Sequence, residues 1–212
     1  MADIRQELID FARRMSDIGL NRGTAGNLSV RGKKNGNGFW ITPTGMDYDA
    51  LTADDIVFVN SDGSSTGMRQ PSSEWRFHHD IYRARPEAGA VLHAHSPFAT
   101  ALACLRREIP PFHYMIARFG GDTVRCAEYA TFGTQQLSDA AVAALKGRSA
   151  CLLANHGMVV FGSGLKQAFD LGVELECLCE QYVRALQIGE PVLLDDAEMQ
   201  LMHERFRSYG QQ

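Results

Sequence analysis

The sequence predicts a single α/β domain over residues 1–212, with a central sheet that is mixed or mainly antiparallel. The chain has 212 residues and 45% apolar content, which is enough to bury one substantial core. Segments typical of strands alternate irregularly with segments typical of helices. No repeat, low-complexity stretch or linker divides the sequence. We therefore expect one domain.

The chain opens on an amphipathic helix that Gly19 is placed to end. Apolar residues recur at the spacing of one helical face. A glycine after the last of them readily takes the left-handed conformation in which many helices end. The residues of this face are Ile4, Leu8, Phe11, Ala12, Met15 and Ile18.

Short strands and glycine loops are predicted for the remainder of the first third. The loop GLNRGTAGNLSVR (residues 19–31) runs into a short apolar segment, and a turn cluster at 32–38 precedes a strand candidate at 39–42. A second loop, ITPTGMDY (41–48), is followed by a strand candidate at 56–59. The pattern indicates a hairpin entered through a flexible loop.

In the middle of the chain a helix leads into a strand. Ser72 or Ser73 is placed to cap a helix over residues 74–85, and residues 90–95 are typical of a short strand. Another helix is predicted over residues 97–105.

The C-terminal half contains two more strand candidates, at 150–154 and 158–161, separated by the turn Asn155-His156-Gly157. A helix is predicted over 138–146, before these strands. Two helices follow them. The first carries an apolar stripe over 171–186 and is ended by Gly189 and Pro191, and the last is capped by Asp195 or Asp196 and reaches Gly210.

Composition excludes several classes of function. A net charge of -4 and a pI near 6.0 argue against a nucleic-acid-binding protein. No apolar run approaches the roughly 20 residues that cross a bilayer, and the N-terminal residues alternate in polarity, unlike a signal peptide. The five cysteines are odd in number and lack CxxC spacing, so no disulfide framework is indicated. We expect a cytoplasmic protein without membrane or nucleic-acid partners.

Three histidines are placed to hold a metal ion. His93 and His95 are two residues apart on a predicted strand, so both imidazoles point to the same face. Alone, this pair is as compatible with an ordinary core histidine as with a ligand. His156, in the turn between two apolar strands and before the flexible Gly157, adds a third imidazole. Neutral imidazoles suit zinc better than magnesium or calcium.

Glu74 is the candidate carboxylate of this site. A carboxylate near zinc can serve as fourth ligand or as general base, although a helix-capping role is the simpler interpretation. His78 and His79 are rival ligands on the same helix, and we favour a packing or supporting role for His78. His113 and His203 are weaker candidates.

Three loops of small residues are able to hold an anion. Backbone N–H groups are available in GTAGN (23–27), in TPTG (42–45) and at Ser72 and Ser73, where a helix begins. Each loop alone is better explained as an ordinary turn. Together, and beside a metal site, they predict a phosphate cradle.

These motifs together resemble the class II aldolase and adducin family. The resemblance covers nearly the whole chain and is carried, in order, by GLNRGTAGNLSVR, ITPTGMDY, PSSEWRFH, the HxH strand, HYMIA at 113–117, YATFGT at 129–134, the NHG turn and the closing RFRSYG. It implies an α/β fold with a central, mainly antiparallel sheet, in a cyclic homotetramer with active sites between neighbouring subunits.

The resemblance also implies roles for individual residues. It implies a zinc ion held by Glu74, His93, His95 and His156, with Glu74 also acting as acid and base. The tyrosine that a neighbouring subunit contributes would be Tyr114. Phosphate would be held by Gly26, Asn27, Thr44, Gly45, Ser72 and Ser73. Phe132 and Tyr209 would shape an aldehyde pocket.

The implied reaction is cleavage of a ketose 1-phosphate between C3 and C4, giving dihydroxyacetone phosphate and a small aldehyde. HAHSPFAT and ANHGMVVFG carry fewer polar residues beside the second and third ligands than related sequences. A 5-deoxyribulose or methylthioribulose 1-phosphate is therefore an alternative to L-fuculose 1-phosphate. The resemblance is also compatible with a sugar-phosphate 4-epimerase, with a decarboxylase and with a non-catalytic adducin-like module.

Overall fold

The computed structural model describes residues 3–33 and 37–208. An eight-stranded sheet crosses the molecule in the order β4-β3-β2-β1-β5-β8-β7-β6. Neighbouring strands pair antiparallel except β6 and β7, which are parallel. The mainly antiparallel α/β fold is thus confirmed. The strands are β1 (Asn27–Lys33), β2 (Asn37–Ile41), β3 (Val57–Asn60), β4 (Ser65–Thr66), β5 (Ala90–Ala94), β6 (Cys126–Ala127), β7 (Ala150–Leu153) and β8 (Gly157–Gly162).

Six α-helices cover the two faces of this sheet. They are α1 (Ile4–Asp17), α2 (Trp75–Ala84), α3 (Pro97–Cys104), α4 (Gln135–Ala144), α5 (Leu165–Ile188) and α6 (Asp196–Ser208). Alternation along β5 separates two cores: Leu92 packs in the core with α1, α3 and α5, while Val91 packs in the core with α2 and α4. His93 follows Val91 on the α2 face, and its ring meets that of Phe77 at 5.4 Å. The sheet thereby aims its central histidine at α2.

The first helix begins and ends as predicted. The side chain of Asp3 accepts a hydrogen bond from the Arg5 N–H at 3.0 Å and caps the N-terminus. Gly19 has φ +74°, the left-handed conformation expected of it.

The predicted serine cap of α2 is wrong. The residue at the N-cap is Glu74, and no side chain caps this helix. Ser72 instead supports the turn before it, because its carbonyl accepts from the Trp75 N–H (3.0 Å) and its Oγ from the Glu74 N–H (3.3 Å). Glu74 therefore precedes the helix, and its carboxylate turns toward the sheet.

Two other helices begin before the residues predicted for them. Helix α4 begins at Gln135 because Thr134 Oγ1 accepts from the Leu137 N–H at 3.3 Å. Helix α5 begins at Leu165, six residues before the apolar stripe that predicted it. Strand β6 and the 3-10 helix Tyr114–Phe119 lie in a segment for which no element was predicted.

The N-terminus of α6 agrees with prediction, since Asp195 Oδ1 accepts from the Glu198 N–H at 2.8 Å. The predicted end of α6 at Gly210 and the middle of the predicted turn at 32–38 lie outside the described residues. Within 3–33 and 37–208, no helix combines the length and apolarity needed to span a membrane.

Candidate metal centre and active site

Four predicted ligands converge in one cluster. Glu74 and the histidines at 93, 95 and 156 each offer one donor atom, and these atoms all lie within 4.8 Å of one another. The three imidazole centroids form a triangle with sides of 4.8 Å. Glu74 Oε2 lies 3.1 Å from His93 Nε2, and Oε1 lies 3.2 Å from His156 Nε2. The arrangement fits a single cation between the four side chains.

Strands β5 and β8 place the three histidines. Ala94 of β5 pairs with Met158 of β8, so His95, one residue beyond β5, lies beside the turn that carries His156. Asn155, before His156, has φ +53°, whereas Gly157 is not in the left-handed region. A Cβ on Gly157 would lie 2.5 Å from the Ala94 carbonyl oxygen and 3.0 Å from His95 Cδ2. Gly157 is thus required for close approach to His95, and the bend expected of it occurs at Asn155.

A hydrogen bond to the backbone fixes the orientation of the His93 ring. Its Nδ1 lies 2.9 Å from the Met158 carbonyl oxygen, which can only accept, so Nδ1 carries the proton. The lone pair is therefore on Nε2, which lies 3.0 Å from His95 Nε2. A backbone hydrogen bond of this kind sets the tautomer that a metal-binding histidine needs.

Burial keeps the cluster in the protonation state of a metal site. Desolvation, reinforced by His93, lowers the pKa of both His95 and His156 to about 4. For Glu74, burial acts to raise the pKa, but any proton held on His93 or His156, together with the hydrogen bond from Asn27, lowers it below its usual value, so Glu74 is the ionised member of the cluster. Neutral imidazoles and an ionised carboxylate are the ligand forms that bind metal.

The Glu74 carboxylate carries a further indication of a cation. Its Oε1 is buried and finds no hydrogen-bond partner among the described residues, even though neutral His156 lies 3.2 Å away. An unpaired buried carboxylate oxygen is costly. A cation between Oε1 and the imidazole nitrogen would satisfy it, so the residues present fit a divalent metal.

A cavity of about 350 Å³ opens onto this cluster. It is lined by Thr24, Ala25, Thr44, Gly45, Ser73, Glu74, His95, Tyr129, Ala130, Phe132, Asn155 and His156. Of the predicted phosphate residues, Thr44, Gly45 and Ser73 line the cavity, while Gly26, Asn27 and Ser72 are buried outside its lining. No lysine or arginine lines it among the described residues, so an anion here meets neutral donors.

Two of the predicted phosphate residues have already used their backbone N–H groups. The Thr44 N–H donates to the Gln70 carbonyl at 3.2 Å, and the Ser72 N–H donates to the Thr42 carbonyl at 3.0 Å. These residues retain only their hydroxyl groups for a phosphate.

The remaining histidines have other partners. His79 Nδ1 and Nε2 lie 3.0 Å from Asp80 Oδ1 and 2.9 Å from the Ser61 carbonyl oxygen. His113 caps the 3-10 helix by accepting from the Met115 N–H, and His203 lies 2.7 Å from Asp122. His78 is fully buried behind the cluster, in agreement with the supporting role favoured for it. Desolvation, reinforced by His93, lowers its pKa to about 3.

One predicted aromatic residue, Tyr114, lies apart from this cluster. Tyr114 is 47% exposed and lies on the 3-10 helix, stacked between His113 and Phe206 rather than in the cavity lining. Tyr209 lies outside the described residues. Phe132, 65% exposed, lines the cavity.

Two residues that line the cavity were not singled out from the sequence. Tyr129 lies within the YATFGT motif, which is a signal that could have identified it. Asn155 likewise lies within a motif, the NHG turn. Its Oδ1 accepts from Arg106 Nε at 2.9 Å, and the Arg106 guanidinium lies over the Tyr129 ring. Arg106 and Asn155 are also the two described non-glycine residues with positive φ.

A carboxylate outside the cluster was also missed. Glu176 of α5 accepts from Ser96 Oγ (2.6 Å) and from the N–H groups of Phe98 (2.8 Å) and Ala99 (2.9 Å). Glu176 thus caps α3 from another helix. The N-cap residue of α3, Ser96, directly follows His95.

Comparison with known proteins agrees with this geometry. Residues 6–183 match the model of the Class II Aldolase and Adducin N-terminal domain. The chain is 56% identical over 207 residues to a 5-methylthioribulose-1-phosphate/5-deoxyribulose-1-phosphate aldolase of Rhodospirillum rubrum, covering 98% of this chain and 92% of that protein. It is 45% identical over 208 residues to an L-fuculose phosphate aldolase of Escherichia coli, covering 98% and 95%.

A solved structure, an L-fuculose 1-phosphate aldolase, superposes with a TM-score of 0.93 at 43% identity and covers 98% of this chain and 97% of that one. With its family model matched over most of its length and relatives similar over nearly all of it, the chain belongs to the class II aldolase and adducin family.

Proposed function

We propose that this protein is a zinc-dependent aldolase that reversibly cleaves a ketose 1-phosphate into dihydroxyacetone phosphate and a small aldehyde. The observation that carries the proposal is the convergence of three imidazoles and a buried carboxylate at a cavity of about 350 Å³. Three nitrogen donors and one oxygen donor suit zinc. A divalent cation bound there supplies a Lewis acid for the negative charge that develops when the carbon–carbon bond breaks.

Glu74 is the acid and base of the proposed reaction. In the cleavage direction the C4 hydroxyl gives up its proton to solvent through Tyr114, the C4–O group becomes the aldehyde carbonyl, and the C3–C4 electron pair stays on C3. Glu74 takes up one proton from solvent and delivers it to C3, so the proton released at C4 balances the proton added at C3. In the reverse direction Glu74 removes that proton. Oε1 has no hydrogen-bond partner among the described residues. It would hold the cation in the resting site and would become available for this transfer when the substrate displaces the carboxylate.

The phosphate end of the substrate is assigned to the small-residue loops. Thr44, Gly45 and Ser73 border the cavity and offer hydroxyl and backbone donors, with Gly26, Asn27 and Ser72 buried behind them. Gly45 has φ +66°, and a Cβ placed there would meet nothing within 4 Å. The loop is therefore open to a ligand on this side.

The aldehyde end is assigned to the more apolar part of the cavity rim. Tyr129, Ala130 and Phe132 lie there, and the amide oxygen of Asn155 is taken by Arg106. This rim favours an aldehyde without a hydroxyl group, as released from a 5-deoxyribulose or methylthioribulose 1-phosphate. The name of the relative that is 56% identical supports the same preference. L-fuculose 1-phosphate, which releases a hydroxylated aldehyde, is the alternative.

We further propose a cyclic homotetramer in which a neighbouring subunit completes each site. Tyr114 is assigned to the C4 oxygen, yet it lies outside the cavity lining of its own subunit and is 47% exposed. Its hydroxyl can therefore act on a neighbour's substrate. Tyr209 is assigned to the aldehyde pocket on the family resemblance. We place the reaction in the cytoplasm, with which five unpaired cysteines agree.

The test is aldol cleavage of four ketose 1-phosphates by purified protein of measured metal content. Dihydroxyacetone phosphate release is followed for L-fuculose, L-rhamnulose, 5-deoxyribulose and methylthioribulose 1-phosphates, with and without a chelator. We expect one zinc per subunit and chelator-sensitive release, fastest from the last two substrates. Glu74→Gln, which keeps the shape but not the base, serves as the inactive control.

Each competing function predicts a different outcome. Epimerisation of L-ribulose 5-phosphate without release of dihydroxyacetone phosphate would replace the aldolase by an epimerase. Fastest release from L-fuculose 1-phosphate would retain the reaction and reverse the substrate preference. Absence of both metal and turnover would favour a non-catalytic module, against which the complete ligand set argues.

A further inference from the structure

A buried chain of hydrogen bonds leads away from Glu74 through the interior of the protein. Asn27 Nδ2 lies 3.0 Å from Glu74 Oε2, and Asn27 Oδ1 lies 2.5 Å from His78 Nε2. His78 Nδ1 lies 2.7 Å from Ser29 Oγ, which lies 2.8 Å from the Tyr82 hydroxyl. All five residues are buried.

The partners fix the direction of every hydrogen bond in this chain. The ionised Glu74 carboxylate can only accept, so the Asn27 amide nitrogen must face it. The Asn27 oxygen then faces His78 Nε2, which must carry the proton. Nδ1 is left as an acceptor for the Ser29 hydroxyl, and Ser29 accepts from Tyr82. Every donor therefore points toward Glu74.

Packing prevents this chain from rearranging. The His78 ring is stacked on Phe77 with centroids 4.7 Å apart, and Phe39 lies 6.4 Å away with its ring nearly parallel. Asn27 is paired with His93 across β1 and β5, so the strand register fixes its backbone beside the metal centre. The chain of hydrogen bonds thus runs from the packed interior to the Glu74 carboxylate, which transfers protons in the proposed reaction.

We propose that His78 is a positioning residue for the reaction, which acts through Asn27 to hold the Glu74 carboxylate in its reactive orientation, with Ser29 and Tyr82 fixing the His78 tautomer. The inference rests on the proposed role of Glu74 as acid and base. Without the Nε2 proton, the Asn27 amide loses the partner that orients it. It could then turn its oxygen toward the carboxylate, which would repel Glu74 from its place.

The proposal is tested by comparing His78→Leu, which removes both ring nitrogens, with His78→Gln, whose amide can still donate to Asn27. We expect His78→Leu to lower kcat by about 10- to 100-fold, with KM and zinc content within about twofold of the wild-type values. His78→Gln should recover part of the loss. His79→Gln, on the same helix but turned toward Ser61 and Asp80, is the matched control and should stay within about twofold of wild type.

Glu74 is assigned the proton on the hydroxymethyl carbon of dihydroxyacetone phosphate, which is C3 of the ketose. Exchange of this proton with solvent isolates that step, and its rate should fall in parallel with kcat. Equal losses in His78→Leu and His78→Gln, or a fall in zinc content that accounts for the lost activity, would reduce His78 to a packing role. A wild-type protein that releases no dihydroxyacetone phosphate would instead refute the proposed function.

A spectroscopic measurement tests the chain without turnover. In the ¹⁵N spectrum of the zinc-loaded wild-type protein, His78 should be a neutral imidazole with its proton on Nε2 from about pH 5 to about pH 9. Its assignment comes from the signal missing in His78→Gln. A proton on Nδ1, or a mixture of tautomers, would overturn the proposal, even if His78→Leu does not fold.

Discussion

Gly157 has no side chain, and this allows two of the proposed metal ligands, His95 and His156, to lie close together. A Cβ placed on Gly157 would lie 2.5 Å from the Ala94 carbonyl oxygen, closer than real Cβ atoms come, and 3.0 Å from His95 Cδ2. A methyl group at this position would push His95 away from His93 and His156, because the backbone on the other side belongs to the sheet and cannot yield.

We expect Gly157→Ala to weaken zinc binding by about 10-fold or more while leaving the protein folded. The measurement is competition with a chromogenic chelator, together with the far-UV spectrum. Gly164→Ala is the control, since a Cβ there meets nothing within 4 Å and Gly164 is remote from the ligands in sequence. Equal zinc affinities for the two variants would contradict this explanation.

At the scale of single residues, the sequence predicted which donor side chains cluster better than it predicted the residues that support them. Two histidines on one strand face and a third in a turn are a local pattern, so His93, His95 and His156 could be identified from spacing. The links from Asn27 to His78 and from Arg106 to Asn155 join residues 51 and 49 positions apart. Such pairs depend on strand register and helix placement, which spacing alone does not give.

At the scale of elements, α3 depends on a cap from another helix. The Glu176 carboxylate accepts three hydrogen bonds at the start of α3, where the unpaired N–H groups and the helix dipole both favour negative charge. The strand that carries the histidines leads directly into this helix. The cap therefore anchors the chain on the far side of His95.

We expect Glu176→Gln to lower the free energy of unfolding by about 1–3 kcal/mol, because the amide NH₂ would face N–H donors at one of the two carboxylate positions. Urea unfolding of the zinc-loaded protein measures this change in the free energy of unfolding. Glu180→Gln, on the same helix and paired at the surface with Arg184, should change stability by less than about 0.5 kcal/mol. A similar cost for both variants would show that the cap contributes little.

Local caps identified some element boundaries but not all, since the local cap Thr134 at the start of α4 was missed. Gly19 and Asp195 terminate or begin helices through their own turns. The start of α2 was assigned to a serine cap, but Glu74 occupies that position and is turned to the metal centre instead. A functional demand thus overrode the usual helix signal.

For the whole molecule, the buried neutral histidines link stability to pH. Burial lowers the His78 pKa from 6.5 to about 3, so between these values the unfolded chain binds a proton that the folded chain does not. Its contribution is fully present above pH 6.5 and is lost as pH falls toward 3. His95 and His156 act in the same direction more weakly, because they are partly exposed and water screens them.

Chelator-treated protein should therefore lose stability below pH 6.5, by about 1.4 kcal/mol per pH unit from His78 alone. Urea unfolding at a series of pH values measures the slope, and His78→Gln should reduce it. A free energy of unfolding that stays constant between about pH 6.5 and about pH 5 would contradict the burial of neutral histidine.

The proposed sharing of active sites between subunits predicts complementation of two inactive variants. Glu74→Gln and Tyr114→Phe should each be nearly inactive alone. In mixed oligomers, a site with Glu74 from one subunit and Tyr114 from its neighbour is complete, and random assembly from equal amounts gives about a quarter of wild-type activity. Co-expression with two affinity tags provides the mixed protein. No recovery in verified mixed oligomers would place Tyr114 and Glu74 in one subunit's site or remove Tyr114 from the reaction.

The four metal ligands span residues 74 to 156, and they meet only where β5 has paired with β8 and α2 has packed across the sheet. Contacts this distant in sequence form slowly, because the intervening chain must first be ordered. If the cluster binds zinc as proposed, we expect high-affinity zinc uptake during refolding to lag behind the formation of the local helices. Binding of the ion would therefore indicate that the central sheet has formed, and it would then stabilise the folded protein.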